Sequence, residues 1–172
     1  MRVISGKYKG KKLQGFDIDG TRPTMDRVKE SLFGMIQNNI PDSVCLDLFA
    51  GSGALGIEAL SMGAKGCYFI DHNYIAIKVL KENTTDMDGS YIIKTDYKKY
   101  LKETKNKFDI IFLDPPYKNN LLNKSLKYIE EYELLTEGGI VVCEYEVEKP
   151  ITNLTLIKEK KYGNKYVQIF EN

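Results

Sequence analysis

A strand that stops in a glycine turn and restarts as a helix constrains this chain more than any other feature. Val44–Phe49 is apolar except for Asp47, and Gly51, Gly53 and Gly56 follow it in the spacing G-x-G-x-x-G. A short apolar run of this kind reads as a strand buried on both faces, as strands of parallel sheets are. At Gly51 and Gly53 the missing side chains let the backbone approach a ligand, and Gly56 lets the helix pack closely on the strand. The helix that opens there offers unpaired N–H groups and the positive end of its dipole.

The same alternation continues to the end of the chain. Further strands are predicted at Gly66–Asp71, Tyr91–Thr95, Phe108–Leu113 and Ile140–Tyr145, and helices at Ala54–Met62, Tyr74–Glu82, Tyr97–Thr104 and Leu121–Tyr132. Leu154–Lys160 and Tyr166–Phe170 flank Gly163-Asn164 and predict an antiparallel hairpin. The expected class is α/β: a doubly wound, seven-stranded, mostly parallel sheet whose ligands sit beyond the carboxyl ends of its strands. Before it, the first thirteen residues, punctuated by Gly6 and Gly10, predict a short β-hairpin. Val28, Leu32, Phe33 and Ile36 recur at helical spacing within a predicted helix from Met25 to Asn38. Residues 1–40 are thus expected to form a basic hairpin and cover helix, and residues 41–172 the ligand-binding domain. The 172 residues suffice for one substantial core.

Charge is distributed unevenly. Residues 1–29 hold eight cationic side chains (Arg2, Lys7, Lys9, Lys11, Lys12, Arg22, Arg27, Lys29) against Asp17, Asp19 and Asp26, a net +5 in a chain of net +1. A basic arm on a weakly acidic body suits a polyanion, although a merely solvated basic face would look the same. Cys45, Cys67 and Cys143 are too scattered for a zinc site and odd in number, so no metal and no disulfide framework is expected, and a reducing cytoplasm is. No apolar run is long enough to span a membrane, so no membrane association is expected. A monomer is expected.

Three successive strand ends place acids around one crevice. Asp47 lies within the first strand, Asp71 ends the second twenty residues after Gly51, and Asp96 follows the third with Tyr97 beside it. Asp71 stands where a carboxylate accepts the hydroxyls of an adenosine ribose. Each aspartate alone would pass for a helix cap or turn residue. With Phe49, Gly51, Ser52, Gly53 and His72 they outline a site for an adenosine cofactor. Asp47 selects among such cofactors: an acid there repels a pyrophosphate but attracts the ammonium and sulfonium of S-adenosylmethionine. His72 is expected to line the adenine side or simply follow the strand.

The fourth strand ends in Asp114-Pro115-Pro116-Tyr117. Pro-Pro can do no more than stop a strand, but here it stands at the ligand edge between an acid and an aromatic. An exocyclic amine of a nucleobase is a poor nucleophile, because its lone pair is delocalised into the ring. Asp114 and the Pro115 carbonyl can accept its hydrogens and free that lone pair. The prolines fix the carbonyl in advance, and Tyr117 offers a face for stacking. The base must leave any helix to reach such a pocket.

DLFAGSGALG (Asp47–Gly56) with DPPY (Asp114–Tyr117) resembles the Rossmann-type amino-methyltransferases. RVISGKYKGKKL (Arg2–Leu13), TRPTMDRVKESLF (Thr21–Phe33), DLFAGSGALGIEALSMGA and Tyr162-Gly163, in that order, resemble the RsmD family, which methylates guanine N2 in 16S ribosomal RNA. The resemblance implies that Gly51, Ser52 and Gly53 border the methionine part of S-adenosylmethionine, Asp71 its ribose and Asp96 its adenine amine. It implies that Asp114 to Tyr117 hold the guanine, that Arg22 and Thr24 close the site, and that the substrate is an assembled small subunit or its intermediate. The basic residues Arg2, Lys7, Lys9, Lys11, Lys12, Arg22 and Arg27 are then expected to meet the RNA. Three other readings stay open: an adenine-N6 methyltransferase, a non-catalytic RNA-binding module, and an oxidoreductase on the same fold.

Overall fold

Seven strands form one sheet in the order β3-β2-β1-β4-β5-β7-β6 in the computed structural model, which describes residues 1–15 and 26–172. The five leading strands are parallel: β1 (Val44–Asp47), β2 (Gly66–Asp71), β3 (Ser90–Lys94), β4 (Phe108–Leu113) and β5 (Leu135–Tyr145). The chain steps outward from β1 to β3, then returns to place β4 on the other side of β1. That reversal is the topological switch point, and it lies between β1 and β4. β7 (Lys165–Glu171) inserts antiparallel between β5 and the edge strand β6 (Thr155–Tyr162). The doubly wound α/β sheet expected from the sequence is therefore present, with its antiparallel hairpin.

Two apolar clusters lie on the two faces. On one, α1 (Asp26–Ile36) and α2 (Ala54–Ser61) bury Val28, Leu32, Phe33, Ile36 and Ile57 against Cys45, Phe112, Val142 and Ile169. On the other, α4 (Tyr97–Glu103) and α5 (Leu121–Glu131) bury Leu101, Leu122, Leu126 and Ile129 against Leu46, Ile111 and Val141. α3 (Tyr74–Asn83) sends Leu80 into the first cluster. All eight residues of α2 are buried, including Glu58, because the N-terminal arm covers the side turned from the sheet. Val3 and Leu13 of that arm belong to the same cluster as α1 and α2.

Several boundaries differ from expectation for local reasons. The arm folds back on itself through one antiparallel bridge, Arg2 to Lys12, with Val3 N donating to Lys11 O, Leu13 N to Met1 O and Gly10 N to Val3 O, a short irregular form of the expected hairpin. Its backbone is also bound to side chains of the body: Glu58 accepts from Ile4 N and Ser5 N, and Ser61 Oγ accepts from Tyr8 N at 2.9 Å. β1 stops at Asp47, although Leu48 N still reaches Phe112 O at 3.3 Å. β5 starts at Leu135, five residues early, because the segment through Gly138 and Gly139 bulges between the pairs Phe108–Leu135 and Ile110–Ile140. The first described helix runs from Asp26 and tightens into a 3₁₀ turn at Gln37–Asn39. Phe16 to Met25, which include Arg22 and Thr24, lie outside the described residues.

The cysteines are all free and buried. Burial pushes the Cys45 thiol up to about 12 and the Cys67 and Cys143 thiols well up, so none is a thiolate near neutral pH. Among the described residues, no helix is long and apolar enough to cross a membrane, and no His, Cys, Asp and Glu side chains cluster as metal ligands.

Candidate active site at the β1–β4 switch point

The loop after β1 turns through Gly51 and Gly53, whose φ values of 57° and 86° lie in the region that glycine enters without strain. Gly53 N donates to Ala50 O at 2.8 Å, which closes the turn. A side chain on Gly53 would overlap Leu80 of α3, and one on Gly56 would overlap Phe69 and Cys67 of β2. The glycines therefore serve helix packing as well as backbone access. Asn83, at the end of α3, donates from Nδ2 to Ser52 O at 2.9 Å.

Asp71 joins the first two strand ends. Its Oδ2 accepts from Gly51 N at 2.9 Å and its Oδ1 from Asn73 N at 2.9 Å. Each carboxylate oxygen has a second lone pair, so this half-buried acid retains acceptor capacity for a ligand hydroxyl. Asn73 caps α3, accepting from Ile75 N and Ala76 N, so β2 passes into its helix through an ordered turn. His72 projects into solvent with its side chain 81% exposed and Nδ1 4.0 Å from Asp71 Oδ1.

Asp47 sits under the turn and is only 2% exposed. Its Oδ2 accepts from Gly56 N at 3.0 Å. Burial raises its carboxyl to about 7; the Gly56 N–H opposes that rise and the neighbouring Asp71 charge adds to it. A cation nearby would favour its ionised form. Asp96 is exposed and caps α4, accepting from Lys99 N at 3.1 Å. Tyr97, beside it, packs on Phe49 with ring centroids 5.4 Å apart, so an aromatic pair spans the ends of β1 and β3.

Asp114-Pro115-Pro116-Tyr117 leaves β4 at the same edge of the sheet. β4 pairs directly with β1, with Asp47 opposite Phe112, so this loop and the glycine turn emerge from adjacent parallel strands. Pro115 is buried, and Asp114, Pro116 and Tyr117 are half-buried. Pro116 O accepts from Lys118 N at 2.8 Å, which turns the chain sharply away from the strand.

The basic arm divides. Arg2, Lys7, Lys9, Lys12 and Arg27 are exposed and Lys11 is half-buried. Lys29, counted with them in the sequence, is 0% exposed. Its Nζ lies 3.3 Å from Glu58 Oε2 and donates to Arg2 O at 2.7 Å. Lys29 is therefore withdrawn from the cationic surface and holds the arm to α1 and α2. Sequence reading missed Glu58, Ser61 and Asn83 as its anchors. The available signal was one acid, Glu58, inside the otherwise apolar helix ALGIEALS.

A family profile described as conserved hypothetical protein 95 matches residues 1–171. YlbH of Bacillus subtilis (strain 168) is 41% identical over 99% of this chain and 98% of its own length. The ribosomal RNA small subunit methyltransferase D of Haemophilus influenzae is 36% identical over 100% of this chain and 94% of its own. The solved structure of yhhF from Escherichia coli superposes with a TM-score of 0.90 at 31% identity, covering 100% of this chain and 97% of that one. With one profile spanning nearly every residue and relatives aligned end to end, the chain belongs to the conserved hypothetical protein 95 family, the RsmD family that its motifs resemble.

Proposed function

We propose that this protein methylates the exocyclic N2 amine of one guanine in 16S ribosomal RNA, acting as a monomer in the cytoplasm on the small subunit or an assembly intermediate. Family membership makes it a small-subunit rRNA methyltransferase. The observation that carries the finer reading is the pairing of β1 with β4, which sets a glycine turn beside Asp114-Pro115-Pro116-Tyr117 at the switch point. In this reading residues 41–172 perform the transfer, and residues 1–40 form the RNA-facing extension.

The residues suit S-adenosylmethionine. Turn Gly51–Gly53 brings bare backbone to the cleft, Asp71 keeps acceptor capacity, and a buried acid, Asp47, lies behind the turn. When bound, the cofactor supplies an electrophilic methyl group on a sulfonium. Gly51, Ser52 and Gly53 border its methionine part and Asp71 holds the ribose. Asp96, Tyr97, Phe49 and His72 line the adenine side, and Thr24 closes the site. Asp114 accepts a hydrogen of the guanine amine, the Pro115 carbonyl accepts the other, and Tyr117 stacks on the base. Positioning of two reactants supplies about 7–11 kcal/mol of barrier reduction. General-base help supplies about 10²–10⁴-fold, under about 6 kcal/mol. Asp114 thus acts first as an acceptor that orients the amine, and takes up a proton only after transfer. Arg2, Lys7, Lys9, Lys11, Lys12, Arg22 and Arg27 contact RNA phosphates.

The test is incubation with labelled cofactor and small subunits lacking the modification, followed by mapping of the methylated nucleotide. N2-methylguanine at a single position is expected. Label in N6-methyladenine, or in free DNA alone, would overturn the reading.

A further inference from the structure

Asn83 ends α3, is 3% exposed and spends its amide on two distant segments. Its Oδ1 accepts from Gln14 N at 2.9 Å, and its Nδ2 donates to Gln14 O at 3.0 Å and to Ser52 O at 2.9 Å. A primary amide has two N–H donors, and both are accounted for. The two contacts to Gln14 grip the last part of the N-terminal arm much as a neighbouring strand would. The contact to Ser52 reaches into the glycine turn.

That third contact bears on the turn's geometry. The peptide between Ser52 and Gly53 is planar, so its carbonyl and its N–H move together. Its N–H donates to Ala50 O and its carbonyl accepts from Asn83 Nδ2, so the peptide is pinned at both ends. Leu80, one helical turn earlier on the same face of α3, backs Gly53 so closely that a Cβ there would collide with it. One face of α3 thus buttresses the turn twice, through packing at Leu80 and through hydrogen bonding at Asn83.

We infer that Asn83 is a positioning residue for the cofactor: it presets the Ser52–Gly53 peptide for S-adenosylmethionine and ties that setting to the docked N-terminal arm. The inference rests on reading Gly51–Gly53 as the cofactor border. Asn83 acts through Ser52 and has no part in the chemistry of transfer. A helix end needing only a stop would not bury an amide to hold two loops, and Thr84, the next residue, already returns its own N–H and hydroxyl to Leu80 O.

The experiment is calorimetric titration of the full chain with S-adenosylhomocysteine, together with melting temperatures, from pH 5.5 to 8. Asn83→Ala is expected to weaken binding about tenfold through loss of one buried hydrogen bond. Asn83→Asp keeps the acceptor for Gln14 N but sets a carboxylate against two carbonyls. It is expected to bind worse than Asn83→Ala at pH 8 and to recover, relative to wild type, as the pH falls and a protonated carboxyl donates again. Ser61→Ala loosens the arm at Tyr8 N and Ser5 O without touching the turn. It is expected to lower the melting temperature while leaving affinity within twofold.

Affinities that merely follow melting temperature across all three variants overturn the inference, as does wild-type affinity in either Asn83 variant. If Asn83→Ala fails to fold, the pH course of Asn83→Asp decides alone, and a flat ratio to wild type overturns it. A wild-type chain that does not bind S-adenosylhomocysteine removes the cofactor reading, and this inference with it.

Discussion

The two halves of the reactive edge are held in different ways. At the ends of β1 to β3 the structure is hydrogen-bonded to itself: Asp71 ties Gly51 to Asn73, Asp47 ties β1 to α2, Asp96 caps α4, and Asn83 pins the turn. At the end of β4 two prolines fix φ, and the loop turns away through the Pro116–Lys118 contact. The first half is shaped by carboxylates whose remaining lone pairs are aimed by the bonds they already make. The second is shaped by covalent stiffness, which fixes the backbone that carries its acid and its aromatic. The difference teaches that binding and turnover should be separable by mutation.

Substitutions on both halves, and on the arm beside them, test that separation. The largest effect belongs to the β4 half: Asp114→Ala is expected to reduce tritiated methyl incorporation into small subunits by more than about 10³-fold, combining lost orientation and lost proton acceptance. S-adenosylhomocysteine should still bind it within about threefold, and full turnover in this variant would refute the assignment. Next, in the β1–β3 half, Asp71→Ala removes a charged acceptor and releases the Gly51 N–H. Cofactor affinity should fall about a hundredfold by calorimetry, with kcat at saturating cofactor much less affected. An equal loss in kcat would merge the two halves.

Asp47→Asn gives a smaller effect whose sign follows from linkage. Burial raises this carboxyl from 3.8 to about 7. Between those values the folded chain holds a proton that the unfolded chain has released, so wild-type stability falls as pH rises through that window. The asparagine variant lacks this loss. It should melt several degrees above wild type at pH 8 and level with it near pH 4, while binding S-adenosylmethionine more weakly. A pH-independent difference in melting would place the cause elsewhere. The smallest effects belong to the arm: alanine at Lys7, Lys9 or Lys12 should weaken subunit binding only a few-fold and lower the salt slope by about 0.7–0.9 each. Lys29→Ala should leave the salt slope unchanged and act on the fold instead, lowering the melting temperature because the buried Glu58 keeps only the Ile4 and Ser5 N–H groups among the described residues.

Much of the fold was legible because parallel strands are written as apolar runs. VCLDLF and FDIIFL announced the two central strands, and the glycine turn and DPPY announced which ends carry the site. What escaped depends on contacts between distant residues. The β5 start was hidden behind Gly138-Gly139, which reads as a loop and is in fact a bulge held by Asn172 at the far end of the chain. Lys29 looked like surface charge because nothing near it in sequence reveals Glu58. The turn of the arm back on itself was legible, but the side chains of the body that anchor it were not, since alternation says nothing of partners so distant in sequence. At the site itself the residues were nameable, but that Asp47 would lie under the turn and Asp71 would brace it needed the structure.

The anchoring of the arm also sets an order of events during synthesis. Residues 4–14 leave the ribosome ahead of their hydrogen-bond partners Glu58, Ser61 and Asn83, which follow 53 to 69 positions later. The arm therefore docks fully only once two strands and three α-helices have been made, a loop closure of the kind that slows folding. Until then α2, apolar apart from Glu58 and Ser61, lacks its outer cover and is a surface through which nascent chains would associate.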